Sequence, residues 1–387
     1  MIRRRLELAM AVPPSLQREV REKLPYSAES IVSFELSELG DAIDLALADS
    51  ADGEVVMEKV RQLVESLVKG WRPVDKEILW SHRVAAPHRA APWDELVARG
   101  LVQSEGAGQI ALAGDAVRLL EALDRRFVAM ANDCFGAEAH RYPTMLSMEA
   151  MDRCHYFASF PQHVTFAPHL REDVDSLRAV SAAPQHDEHA FLEHLRPPRH
   201  VLSPAICFHT YLGLADRQLD GPRTVTAVGR CFRYESSNFT TLERVWDFTL
   251  REIIFVGPKG WVEERRERAL AETQRLVEEL GLDGWIETAS DPFFVNNFVA
   301  KRFFQLMTRT KYELQLGLPA DGRSLAAASF NLHQDFFGKS FGIAIDGGFA
   351  ATGCVGFGLE RWVWALFCQL GPAIAAWPAT VQRALAL

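Results

Sequence analysis

The period at which apolar residues recur changes along the chain, and these changes outline its elements. Val56, Val60, Leu63, Val64 and Leu67 fall on one 3.6-residue face, which predicts an amphipathic helix over 55–68. Before it, 31–47 begins with alternation and then reads as helical. AAPHRAAPW (85–93) is a proline- and alanine-rich linker. Residues 93–102 and 113–135 read as helices around a glycine-bounded turn or hairpin, SEGAGQIAL, with Leu112, Val117, Leu120, Leu123 and Phe127 forming the second helix's apolar face. RYPTML (141–146) is extended because Pro143 biases Tyr142 away from the helical region. A short helix over 148–154 follows, and a long charged helix over 261–280 ends at Gly281.

The most informative pattern is strand, polar loop, strand over 228–255. Val228, Arg230 and Phe232 alternate, SSNFTT breaks the pattern, and the apolar run from Ile253 to Val256 closes it before Gly257-Pro258. Arg233 and Glu235 stand at i and i+2, one face of a strand. Glu243, Arg244, Asp247, Arg251 and Glu252 add further charge. Charge so concentrated on a sheet is costly unless it meets a charged ligand or a wet cleft, although an exposed hairpin laced with salt bridges is the competing reading. Strands are expected at 285–289, 311–316 (KYELQL), 329–331 and 341–346, then a Gly347-Gly348 turn and a strand running into a helix. Cys207 and Cys354 stand in strand-like contexts, and Glu252 ends the hairpin's return strand. Antiparallel strands with intervening helices argue for an α+β fold.

Composition narrows the classes. The chain has 387 residues, 48% hydrophobic and 24% charged, which suits a large globular core or two domains. A net charge of -9 argues against a broad nucleic-acid footprint. Six cysteines lack disulfide-framework spacing, the start is not an export signal, and no run reaches the ~20 apolar residues of a membrane span, so a cytoplasmic location is expected. His163 and His169, and His186, His189 and His194, raise the question of metal, but nothing fixes their geometry. Neither a GxxxxGK phosphate loop nor a dinucleotide glycine pattern is present, so any ATP must be held by arginines and backbone.

FRYE with LERVWDF resembles motif 2 of class II aminoacyl-tRNA synthetases, and GCVGFGLERW (353–362) resembles their motif 3. The resemblance is nearer still to the catalytic core of methanogen-type seryl-tRNA synthetases and the related amino acid:[carrier protein] ligases, over roughly residues 90–375. It implies an antiparallel sheet flanked by helices in a homodimer, with the catalytic domain over 76–387; residues 1–75 lie outside the resemblance and read from their own pattern as a helical or α+β extension. YFASFPQHVTFAPHLRED resembles the segment around motif 1, which builds the dimer contact. By the same resemblance Arg233 clamps the α-phosphate and the amino-acid carboxylate, and Arg361 meets the γ-phosphate. Glu235 meets the adenine amino group, and Phe248 stacks on the ring. Cys207, Glu252 and Cys354 would hold one catalytic zinc, although they lie 252 - 207 = 45 and 354 - 252 = 102 residues apart and the residues alone read as two buried thiols and a strand carboxylate. Cys231 is assigned to the core.

The implied reaction is ATP-dependent activation of glycine or alanine as an adenylate, then transfer to the phosphopantetheine thiol of an acyl or peptidyl carrier protein. Phe330, Phe349 and Ala350 are expected to keep the amino-acid pocket small. A tRNA is not expected as acceptor, because the large tRNA-reading domain of the methanogen enzymes is not seen and the charge is acidic. Arg217, Arg223 or Lys259 could meet an acidic carrier. Where class II enzymes place an acidic residue for magnesium this chain reads LAAAS, which leaves Glu313, Asn331 or the phosphates as its ligands. A seryl-type synthetase and a silent paralogue serving as a binding subunit are the alternatives.

Overall fold

The computed structural model describes the chain except residues 72–73, 86–90, 184–187, 292 and 294–297. Its centre is an eight-stranded sheet in the order Ile78–His82, Gly284–Thr288, Lys311–Leu318, Arg323–Gln334, Ala351–Gly358, Asp247–Gly257, Arg223–Phe232, Glu138–His140. Every neighbouring pair is antiparallel except the last. The expected α+β architecture is therefore the one found.

Side-chain alternation along the strands separates two faces. Phe255, Phe330, Val355 and Phe357 point into a core shared with the helices Asp115–Phe135, Lys259–Glu279 and Leu359–Leu370. Ile254, Val256 and Cys354 face the opposite side, where the short helices Cys207–Gly213 and Phe336–Phe341 pack with Tyr156 and Tyr211. Helices pack across the first face, and the second holds an open cleft.

The N-terminal residues form a smaller unit. Its sheet runs Ile2–Glu7, Ala42–Leu47, Ile31–Leu36, against the helices Pro14–Lys23 and Gly53–Gly70. Leu6, Leu16, Val20, Leu45, Val60 and Leu67 belong to its own core. The Asp52 carboxylate caps the second helix by accepting from the Glu54 and Val55 amides, 3.2 and 3.3 Å away.

Several elements differ from the sequence reading. Residues 31–47 are two strands around a Gly40 turn (φ 71°), because AIDLAL alternates inward and outward although alanine and leucine favour helix. The helix expected over 93–102 stops at Ala98, and 102–112 is a hairpin. Residues 336–341 form a helix capped by Gly342 in the left-handed region, leaving only Ala344–Ile345 extended. Cys207 opens a helix rather than lying in a strand, and Glu252 sits mid-strand rather than at its end. His186 and the residues from 86 to 90 of the linker lie outside the described residues. Among the described residues, no helix is long and apolar enough to cross a membrane.

Candidate active site

Strand register brings the separated residues together. Cys354 lies opposite Asn331, which lies opposite Lys311; Glu252 lies opposite Gly356, which lies opposite Ser329, which lies opposite Glu313. Opposed residues share a face, so two transverse rows of polar groups form the floor of the cleft. Gly356 and Gly358 lie in this floor without side chains. At Gly356 a Cβ would come within 3.5 Å of Ser329 Oγ and 3.7 Å of Glu252 Cγ.

The ligand atoms of Cys207, Glu252 and Cys354 all lie within 4.8 Å of one another, and all three residues are buried. The Ile206 and Cys207 amides donate to Glu252 Oε1 and Oε2, each at 3.1 Å, which fixes the carboxylate and the start of the helix together. Asn331 Nδ2 is 3.5 Å from Cys354 Sγ. Burial, then the neighbouring Cys354, pushes the Glu252 carboxyl up to about 8. A hydrogen bond shared with Cys354 and burial hold the Cys207 thiol well above its usual value, whereas that same bond pulls Cys354 well below. Two thiols and a carboxylate confined away from water repel as anions, and a divalent cation reverses that penalty. Two sulfurs and one oxygen with room for a fourth ligand are a donor set that suits zinc. Cys231 is apart from them, packed with Ile206, Ala227 and Leu250.

Arg233, Glu235, Phe248 and Arg361 line the same cleft. Arg233 Nε donates to the Pro204 carbonyl at 3.0 Å, and its guanidinium lies 5.3 Å from the Phe248 ring centroid. Arg361 donates to the Glu243 carbonyl at 2.8 Å and the Ala326 carbonyl at 3.0 Å, tying the helix Leu359–Leu370 to the hairpin loop and to the strand Arg323–Gln334. The Glu235 carboxylate accepts from Arg244 Nη1 at 2.7 Å. The loop carrying these residues is propped by the hairpin at 102–112. Trp246 N donates to the Gly108 carbonyl at 2.8 Å, and a Cβ on Gly108 (φ +69°) would meet the Phe239 ring at 2.6 Å.

Other cleft residues escaped the sequence reading. Lys311 lies between Asp291 (2.7 Å) and Glu313 (3.0 Å), and both carboxylates line the cleft. KYELQL did carry the signal, since its alternation puts Lys311, Glu313 and Gln315 on one inner face. Asp291, in a loop, gave none. Glu360, next to Arg361, accepts from the Thr249 amide and hydroxyl at 2.8–2.9 Å and braces the hairpin. Glu313 accepts from Lys311 and Gln315, and the Asn331 amide nitrogen is held by Ser329 and Cys354, which leaves its Oδ1 available in the cleft; magnesium enters as part of the nucleotide substrate.

Three residues expected near the substrate lie elsewhere. Phe330 points to the opposite face because Ser329 and Asn331 take the cleft side, Ala350 is packed against Gly338, and Phe349 is exposed. Tyr156, Phe160, Phe208 and Phe337 supply the aromatic wall instead. Of the suggested docking cations, Arg223 pairs with Asp220 and Lys259 with Glu263. His169 stands outside the cleft lining, with Nδ1 2.8 Å from the Leu170 carbonyl, and His194 Nδ1 is 3.3 Å from Ser176 Oγ.

His163 lines the cleft and is buried, and burial lowers its pKa to about 4 from 6.5, against an opposing pull from Glu235. The unfolded chain therefore binds more protons between those values, and stability falls as pH drops from 6.5 towards 4, by about 3 kcal/mol at most. We expect His163→Gln to lose less stability than the native chain between pH 6.5 and 4.5 in thermal melts. Parallel curves would refute this.

No family profile matches the chain. Among curated proteins it is 32% identical to amino acid–[acyl-carrier-protein] ligase 1 of Bradyrhizobium diazoefficiens over 309 residues, 78% of this chain and 92% of that protein. Ligase 2 of the same organism is 32% identical over 318 residues. A type-2 serine–tRNA ligase of Methanococcus maripaludis is 27% identical over 290 residues, 72% of this chain but 56% of that protein. Among solved structures, M. kandleri SerRS in complex with A. aeolicus tRNASec aligns with TM-score 0.73 and 22% identity over 99% of this chain and 77% of that one. A seryl-tRNA synthetase from Pyrococcus horikoshii complexed with ATP aligns over 86% of this chain and 81% of that one, with TM-score 0.60 and 16% identity. The fold is thus that of class II synthetases, and by its relatives the chain belongs to the amino acid–[acyl-carrier-protein] ligases.

Proposed function

We propose that the chain activates a small amino acid, glycine or alanine, with ATP and passes it to the phosphopantetheine thiol of a carrier protein. The observation that carries this reading is the meeting of Cys207, Glu252 and Cys354 within 4.8 Å in the cleft that Arg233 and Arg361 also line. A zinc ion in that set would supply a Lewis-acid anchor for the substrate's neutral α-amino group. Arg233 then draws the carboxylate and the α-phosphate together as a rigid, permanently charged fork. A carboxylate oxygen attacks the α-phosphorus, its bond to the bridging oxygen breaks, and pyrophosphate leaves. Arg361 offsets the charge on the departing group, and Glu235 accepts from the adenine amino group. Positioning and charge neutralisation lower the barrier without a dedicated base. In the second step the carrier thiolate attacks the acyl carbon, the thioester forms, and AMP leaves.

The aromatic wall of Tyr156, Phe160, Phe208 and Phe337 supports a small substrate. One methyl group is worth only ~1–3 kcal/mol of discrimination, so glycine and alanine are both proposed. A homodimer working in the cytoplasm accompanies this reading. Transfer to tRNA is the second reading, favoured by one observation: the likeness to the M. kandleri enzyme extends over 99% of this chain and so takes in the N-terminal unit. Amino-acid-dependent ATP/pyrophosphate exchange, with carrier protein and bulk tRNA as parallel acceptors, tests both. Exchange with glycine or alanine and label on the carrier protein is the expected result. Label on tRNA would overturn the acceptor, and no exchange with any amino acid would overturn the activity.

A further inference from the structure

The N-terminal unit is joined to the cleft at two places. On the hairpin loop, Glu22 Oε1 accepts from Arg244 Nη2 at 3.0 Å, while Arg244 Nη1 donates to Glu235 Oε2 at 2.7 Å. The Glu22 carbonyl also accepts from Asn238 Nδ2 at 3.0 Å, and the Tyr26 hydroxyl donates to the Tyr234 carbonyl at 3.1 Å. On the other side, Arg302 pairs with Glu19 at 3.8 Å and lies 4.2 Å from the Trp71 ring centroid, and Lys23 donates to the Phe293 carbonyl. One small unit with its own core therefore contacts both the hairpin loop and the residues Phe293 and Arg302.

We propose that Glu22 is a positioning residue for the nucleotide end of the cleft, acting through Arg244 on Glu235. This rests on the reading that Glu235 accepts from the adenine amino group. A guanidinium is a planar fork that closes on one carboxylate with two parallel hydrogen bonds when nothing else competes. Here its two terminal nitrogens are divided between two carboxylates, so it engages one oxygen of Glu235 rather than both. The three side chains are only 15–30% exposed, so solvent screens the division weakly. Without Glu22 the fork is released to close on Glu235 or to swing away. Either change removes the fixed acceptor that distinguishes adenine, which offers an amino group, from guanine, which offers a carbonyl at that position.

The test compares Glu22→Ala, and separately Asn238→Ala, with the native chain. ATP and GTP binding are measured by calorimetry, exchange kinetics by varied ATP, and folding by thermal melts. The expected result is about a tenfold rise in KM for ATP, about 1.4 kcal/mol, with kcat at saturation nearly unchanged. The preference for ATP over GTP should fall several-fold in both variants. Variants that keep the native KM and the native ATP-to-GTP ratio while the native chain binds ATP would overturn the role of Glu22 alone. A lowered melting temperature with an unchanged ratio would overturn it too, since that marks a purely structural contact. A native chain that binds no ATP would overturn this proposal together with the function it rests on.

Discussion

Replacing Cys207 with alanine is expected to remove bound zinc and amino-acid activation in one step. Zinc content by elemental analysis should drop from about one ion per chain to near zero, because a Cys/Glu pair without its second thiolate no longer makes a three-ligand site. Pyrophosphate exchange should fall about a thousandfold, the size expected when several kcal/mol of anchoring and polarisation disappear. The fold should survive, since Glu252 stays held by the Ile206 and residue-207 amides and Cys354 by its strand. Cys231→Ala is the matched control: that thiol packs with Ile206, Ala227 and Leu250, and its loss should leave zinc in place. Retained activation by a zinc-free Cys207→Ala protein would sink the metal assignment.

Arg361→Ala is expected to reduce ATP-dependent activation by about two to three orders of magnitude, the usual cost of deleting one preorganised donor at a developing charge. Arg361→Lys should recover little, because an ammonium carries the charge without the planar fork. Part of the loss would come through the loop, since the guanidinium holds the Glu243 and Ala326 carbonyls at 2.8 and 3.0 Å. Melting curves for the alanine variant should stay close to native, because the helix Leu359–Leu370 is anchored by Trp362, Val363 and Leu366. An unchanged pyrophosphate-exchange rate would refute the role.

Local patterns made the middle of the sheet legible: the hairpin, KYELQL and the strand running into the helix Leu359–Leu370 all follow from alternation bounded by glycine or proline, whereas the edge strands Ile78–His82 and Glu138–His140 carry no such signal. The metal set was different. Nothing in the spacing of Cys207, Glu252 and Cys354 joins them, because strand register and a helix start bring them together, and only resemblance to a family named them in advance. The errors have local causes. Alanine and leucine disguised the strand Ala42–Leu47 as helix, and Gly342 ended a helix where 341–346 had looked extended. Phe330 is expected at the substrate, yet Ser329 and Asn331 take the cleft side, and adjacent residues of a strand face opposite ways. Glu22 was illegible for another reason. Its partner Arg244 is 222 residues away, and no period in either segment points at the other.

The placement of the strand Ile78–His82 governs how the chain emerges from a ribosome. His82 pairs with Gly284, a separation of 284 - 82 = 202 residues. At synthesis rates of about 5–20 residues per second that partner arrives about 10–40 s later. The N-terminal unit, whose core residues all lie before residue 70, can collapse during this wait. The ILWSH segment cannot, and it trails behind as an unpaired edge carrying Trp80. The order of assembly is then set by topology: the small unit first, and the sheet edge only after residue 284 has emerged.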